Sequence, residues 1–334
     1  MCSPGEAVMD GDDHRPMHTS DQISGETVLV TGGAGFIGSH IVAALDSNNR
    51  VRVLDNLTSG SRAALPDDVE FVHGDVRDEH QVKRALADVD VVFHEAAMVD
   101  VPESTERPLA CHDRNATATV GLLDQARRAD ARVVLASSAA VYGDPESVPV
   151  SEEAQTRPRS PYGASKLASD HYGRVFAERY GLPVVSLRYF NVYGPRRTPT
   201  EACGVVGQFV RKARNGDPLS VHGQGDQTRD FVHVADVVRA NLAAATATET
   251  PAVYNVGTGR SITIRELATL VAEESSADVT VRHEQGRDGD IQRSRADISK
   301  TTAELGFEPQ VGIRDGVASL LGDHETWSSS TIDP

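Results

Sequence analysis

Lysine is nearly missing from this 334-residue chain. Only Lys83, Lys166, Lys212 and Lys300 occur, so Arg makes up the rest of the 33 basic residues. Against them stand 49 acidic residues, for a formal charge of −16. Such a surface repels phosphate backbones and anionic lipid, which argues against nucleic acid or a membrane as partner. An acidic, Lys-poor surface fits a halophilic protein; a GC-rich genome, which trades Lys for Arg, gives the same deficit. Cysteine is scarce as well. Cys2, Cys111 and Cys203 are odd in number and far apart, which fits no disulfide framework and no metal-ligand spacing. It suits a reducing, cytoplasmic setting. No apolar run approaches the roughly 18 residues of a membrane span. Residues 1–25 have neither a basic start nor an apolar stretch, so they read as a disordered acidic tail, not a secretory signal, with Met17 as a second candidate start. Residues 326–334 read as another tail.

What the chain does have is a rhythm. Short apolar runs at 27–30, 50–55, 70–75, 90–97, 132–138 and 183–189 read as strands, and helical stretches such as 36–45, 106–129 and 162–180 lie between them. Alternation of this kind predicts an α/β fold with a doubly wound parallel sheet, Rossmann-type, over residues 26–190. Residues 231–257 are expected to return to that sheet. The looser segments 191–230 and 258–325 are assigned to a second, smaller α/β lobe that binds substrate. There Thr263 and Glu266 have capping-box spacing.

The sharpest local signal is "VLVTGGAGFIGSH". Gly33-x-Gly35-x-x-Gly38 follows an apolar strand and opens an amphipathic helix, as a dinucleotide-binding turn requires. The glycines allow a tight turn and close approach of a pyrophosphate, and the helix start offers N–H groups and a positive dipole end. Asp55 closes the next strand, where a carboxylate accepts hydrogen bonds from ribose hydroxyls and repels a 2′-phosphate, so NAD is expected over NADP.

A second signal is "SPYGASK". Pro161 suits a first helical turn, which puts Tyr162 and Lys166 at i and i+4 on one face. That pairing is either a surface contact or a way to favour phenolate. A free phenol has a pKa near 10, and a neighbouring ammonium would bring it closer to neutrality.

Taken with "VLDNLTSG", "GDVRD", "SSAAVYG" and "RYFNVYGPR", these stretches resemble the extended short-chain dehydrogenase/reductases. "GQGDQTRDFVHVADVV" and "GDIQRSRADISK" resemble the nucleotide-sugar epimerase/dehydratase branch, closest to the UDP-glucose 4-epimerases. The resemblance implies NAD-dependent epimerisation of a UDP-hexose at C4 through a transient 4-keto sugar. It casts Tyr162 as acid/base, Lys166 as the ribose anchor and Ser138 as the hydroxyl that orients the sugar. It places the cofactor against Gly32, Gly35, Phe36, Ile37, Gly38, Asp55, Asn56, Asp75, Val76, Ala96, Ala97, Asn115, Ser137, Tyr162, Lys166 and Tyr189. Substrate contacts are expected from Ser138, Asn191, Arg229, Arg287, Asp290 and Ser294; the two arginines could equally be solvated charges or ion pairs.

The same resemblance implies a homodimer built as a four-helix bundle from 106–129 and 162–180. Alternatives are a dehydratase, a net dehydrogenase or reductase, or a non-catalytic NAD-sensing protein. Dehydratases carry Asp-Glu after the catalytic hydroxyl, where this chain has Ala139 and Ala140. Two departures stand out. Asp100 replaces a small polar residue near the sugar, where it alters sugar choice or faces solvent. Ser294 is small where plain-hexose epimerases are bulky, which leaves room for an N-acetyl group.

Overall fold

A computed structural model describes residues 23–45, 48–195, 204–286 and 291–322. β1 (Thr27–Thr31) leads through α1 (Phe36–Ala44) to β2 (Arg50–Asp55) and β3 (Glu70–His73), then α2 (Glu79–Ala85) and β4 (Val91–His94). α3 (Val101–Glu106), α4 (Pro108–His112) and α5 (Ala118–Ala129) precede β5 (Arg132–Ser138), and α6 (Pro161–Tyr180) precedes β6 (Val184–Tyr189). Next come β7 (Asn191–Tyr193), α7 (Gly204–Arg214), β8 (Leu219–His222), β9 (Thr228–Arg229), β10 (Phe231–His233), α8 (Val234–Thr246) and β11 (Ala252–Val256). The described chain closes with β12 (Ile262–Thr263), α9 (Ile264–Glu274), β13 (Val281–Glu284), α10 (Ser299–Leu305) and α11 (Ile313–Leu321).

Among the described residues, seven strands form one sheet in the order β3-β2-β1-β4-β5-β6-β11, with every pairing parallel. Most of their Val and Leu side chains are buried on both faces, as a covered parallel sheet demands, with Val51, Val72 and Val253 half-buried towards the edges. Ile41 of α1 and Val237 of α8 pack on one face, while Val82 of α2, Leu122 of α5 and Phe176 of α6 pack on the other. The winding reverses between β1 and β4, so the crevice for a ligand opens at the carboxyl ends of those strands. The second lobe has its own core, with Phe209, Leu219, Leu267 and Val317 from α7, β8, α9 and α11.

Local chemistry sets the ends of the elements. Ser160 caps α6 by accepting from Gly163 N at 3.1 Å, and Gly181, at φ 71°, ends it. The capping box at Thr263 and Glu266 forms as the spacing predicts. The expected helix 106–129 is divided: α3 stops at Glu106, Pro108 opens α4, and a wide π turn at 113–117 carries the chain into α5. Proline, lacking an N–H, starts a helix more easily than it continues one. The stretch 231–245, expected to rejoin the main sheet, divides as well. β10 pairs with β7 in a sheet of two, α8 lies on the main sheet, and β11 is its edge strand. α11 was not expected.

Candidate active site

The turn after β1 is pressed against the segment after β4. Gly32 has φ 67°, and a Cβ there would lie 2.6 Å from Ala96 N. A Cβ on Gly38 would run into the carbonyl oxygen of Gly32. Glycine at both positions lets the first turn of α1, with Phe36 and Ile37, close on the strand. Asp55 fastens the arrangement: Oδ2 accepts from Ala34 N at 3.0 Å and Oδ1 from Leu57 N at 2.8 Å. Each oxygen keeps a second acceptor direction, so the carboxylate can still bind a hydroxyl. Next to it, Asn56 Nδ2 donates to Asp75 Oδ2 at 3.0 Å. Arg77 grips Asp75 with Nε and Nη2 at 2.9 and 2.8 Å and holds its carboxyl far below the usual range. Val76 packs on the sheet face covered by α2 and α5. Ala96 and Ala97 follow β4 at the rim, with Ala96 N 3.4 Å from Thr31 Oγ1.

β5 delivers two serines to the crevice. Ser137 Oγ is buried and has no hydrogen-bond partner. Ser138 Oγ accepts from Ala140 N at 3.2 Å, and its hydroxyl draws the pKa of the Tyr162 phenol down. Tyr162 stands on the first turn of α6, its backbone N–H donating to Ser104 Oγ at 3.3 Å. One turn on, Lys166 is buried and donates from Nζ to Ala136 O at 2.7 Å. The spacing suggested a phenol lowered by its ammonium neighbour. In the protein's own field burial wins: the phenol is pushed up to about 12, while the Ser138 hydroxyl pulls the other way. Burial likewise lowers Lys166, opposed by the charges of Glu95 and Asp170.

Asn115 lies in the π turn, buried, and works as a clamp. Its Oδ1 accepts from Met98 N at 2.7 Å; its Nδ2 donates to Met98 O at 2.9 Å and to Ser165 Oγ at 3.0 Å. It thus fixes the segment after β4 to α6. Wide turns of this kind concentrate at functional sites. Two residues escaped the sequence reading. Glu95, directly after β4, accepts from the Tyr189 phenol at 2.9 Å. Asp230, wholly buried between β9 and β10, accepts from Thr258 N, Gly259 N and Ala296 N at 2.8 to 3.0 Å and pins the second lobe to β11's exit. Neither sits in a spacing pattern; "HEAA" offered a buried-looking acid at a strand end as its only signal.

The substrate candidates are less tightly gathered. Asn191 is exposed at the start of β7. Arg229 is half-buried, its Nη1 donating to Thr228 O at 2.8 Å and Ile291 O at 2.6 Å. Ser294 is half-buried in the strip 291–296, which hydrogen-bonds to β9 through Gln292 O and Thr228 N. Arg287, Asp290, Cys2 and Cys203 lie outside the described residues. Asp100 is exposed and caps α3, accepting from Glu103 N at 2.7 Å.

Residues 28–257 match the model of the NAD dependent epimerase/dehydratase family. The chain belongs to that family. A family relative named as a putative UDP-glucose 4-epimerase from Methanocaldococcus jannaschii is 39% identical over 298 residues, covering 88% of this chain and 97% of its own. The solved UDP-N-acetylglucosamine 4-epimerase of Methanobrevibacter ruminantium, in complex with UDP-N-acetylmuramic acid, superposes with TM-score 0.85 at 35% identity. It covers 90% of this chain and 98% of its own. The UDP-glucose 4-epimerase of Thermus thermophilus, solved with NAD, gives TM-score 0.82 at 40% identity and covers 88% and 97%.

Proposed function

We propose that this protein interconverts the C4 epimers of a UDP-hexose, UDP-glucose and UDP-galactose foremost, through a 4-keto sugar with NAD as cofactor. The observation that carries the reading is the end of β5, where the Ser138 hydroxyl acts on the Tyr162 phenol and the adjoining Ser137 Oγ is buried without a partner. A dinucleotide fits the residues present: the glycine turn has no room for side chains, and Ser137 keeps a polar atom for it. Gly32, Gly35, Phe36, Ile37 and Gly38 are assigned to the pyrophosphate, Asp55 and Asn56 to the adenosine ribose, and Asp75 and Val76 to the adenine. Ala96, Ala97, Asn115, Ser137, Tyr162, Lys166 and Tyr189 are assigned to the nicotinamide end.

NAD⁺, when bound, supplies the acceptor and then the donor of the C4 hydride, together with a positive charge. Tyr162 takes the proton from O4 and later returns it. Ser138 holds O4 in line with the phenol, which is a positioning role. Because burial keeps the phenol protonated, Tyr162 becomes a base only once positive charge enters the site. Lys166, buried one turn along α6, is assigned to the nicotinamide ribose. Ala139 and Ala140 cannot move protons, so elimination of water from C5 and C6 has no acid/base pair there. Asn191, Arg229, Arg287 and Asp290 are assigned to the UDP moiety, and Ser294 to the space for an N-acetyl group.

The reading includes a homodimer. Leu109 on α4, 85% exposed, and Tyr172, Val175 and Tyr180 on α6 leave an apolar outer face on the two helices. It also includes a reducing, cytoplasmic and salty working medium, consistent with the net charge.

The deciding experiment incubates the protein with UDP-glucose and with UDP-N-acetylglucosamine, with and without added NAD, and separates the products. The 4-epimers are expected with no net NADH. A stoichiometric yield of NADH, or a 4-keto-6-deoxy sugar, replaces this reading with a dehydrogenase or a dehydratase.

A further inference from the structure

Glu95 has no part in the steps above, yet it is a carboxyl whose charge is felt by both Tyr162 and Lys166. It leaves the carboxyl end of β4 at the reversal of the sheet, where the crevice opens. The Tyr189 phenol on β6 donates to its Oε1 at 2.9 Å and is itself held by Asn241 Nδ2 of α8 at 2.8 Å. The side chain is therefore fixed from two elements. Its charge acts on both Tyr162 and Lys166 of α6. The hydride and the O4 proton leave the same sugar carbinol, so the ring that takes the hydride must lie beside Tyr162. A charge that reaches Tyr162 reaches that ring too. The ring is positive in NAD⁺ and neutral in NADH.

We propose that Glu95 is a positioning residue, acting through charge, that makes the site favour the oxidised over the reduced dinucleotide. The inference rests on the NAD reading given above. A carboxylate in this place stabilises the positive ring and does little for the neutral one. It opposes trapping of the cofactor as NADH if the keto sugar escapes. Burial pushes the Glu95 carboxyl up to about 7, with the Tyr189 hydrogen bond and the Lys166 charge pulling it down. The preference is accordingly strong above neutrality and weak below it. The other titratable groups around Glu95 are Tyr162, Tyr189, His94 and Lys166. Tyr162 and Tyr189 are raised by burial, and His94 next to it is held at about 3. Burial lowers Lys166, and the charges of Glu95 and Asp170 act against that lowering. Asn241 does not titrate.

The test measures Kd for NAD⁺ and for NADH in the absence of sugar, at pH 6 and pH 8.5, for the native protein and Glu95→Gln. Gln keeps the acceptor for Tyr189 and removes the charge. At pH 8.5 the ratio Kd(NADH)/Kd(NAD⁺) is expected to fall about tenfold in the variant, the size of one charge acting across a partly buried site. At pH 6 the two proteins should converge. A ratio that is the same in both proteins at pH 8.5 overturns the proposal, as does a parallel loss of both affinities, which marks a purely structural role. If Glu95→Gln does not fold, the native protein alone decides: a ratio that stays flat from pH 8.5 to 6 refutes it. Failure of either dinucleotide to bind the native protein refutes the NAD reading instead.

Discussion

Tyr162 and His94 show how burial acts in opposite ways on two side chains. Tyr162→Phe removes the proton carrier and leaves the ring. Turnover is expected to drop by about 10²–10⁴, with NAD affinity unchanged within about threefold; retained turnover in product assays would remove Tyr162 from the chemistry. His94 is buried between Thr31 Oγ1 at 2.7 Å and Thr119 Oγ1 at 3.0 Å and is held at about 3 in place of 6.5. Its folded pKa is depressed, so the unfolded chain binds more protons between those values. The stabilisation is complete above pH 6.5 and is lost progressively as pH falls towards 3; His233 acts in the same direction. Denaturant melts across that window should be shallower in His94→Gln than in the native protein. Tyr162, Lys166 and the glycines were legible because spacing along one chain segment defines them. Glu95 was not, because its meaning comes from Tyr189, 94 residues away, and from the strand order that brings them together.

At the scale of elements, the turn and α1 act as one unit. Gly38→Ala pushes a methyl into the Gly32 carbonyl, and α1 must retreat from the strand end. Dinucleotide binding by calorimetry is expected to vanish or weaken by at least about tenfold, with an overpacking loss of about 1–3 kcal/mol in stability. The boundaries of α6 and α9 could be read in advance because caps are local chemistry. The break at Arg107 was also written locally, in Pro108, but the π turn at Asn115 was not. Helical periodicity runs through residues 108–129, and at the wide turn Asn115 is tied to Met98 and Ser165 while its carbonyl accepts from Thr119 Oγ1, contacts set by the tertiary fold as much as by local sequence. The same limit explains β10: its apolar run looks like any strand, and nothing in it states which neighbour it joins.

For the whole molecule, the exposed apolar face and the charge lead to separate outcomes. Leu109→Glu puts a carboxylate at the centre of the outer face of α4 and α6 and is expected to turn dimers into monomers by light scattering; a native protein that is already monomeric removes the four-helix arrangement. With a charge of −16, self-repulsion is expected to dominate at low salt. Raising KCl from about 0.05 to 1 M shortens the screening length to about 3 Å. Tm should rise steeply if the acidity is a salt adaptation, and stay level if genome composition produced it.

The edge strand β11 has one more implication. It arrives only after β7, α7 and β10 have already entered the smaller lobe, so neither half of this molecule is a continuous stretch of sequence. A gene cut near residue 190 would encode a sheet whose β6 border is stripped of its last ladder and open to pairing with strangers. Grafting a foreign module in place of the smaller lobe therefore demands three junctions, one near residue 190 and one on each side of residues 234–257.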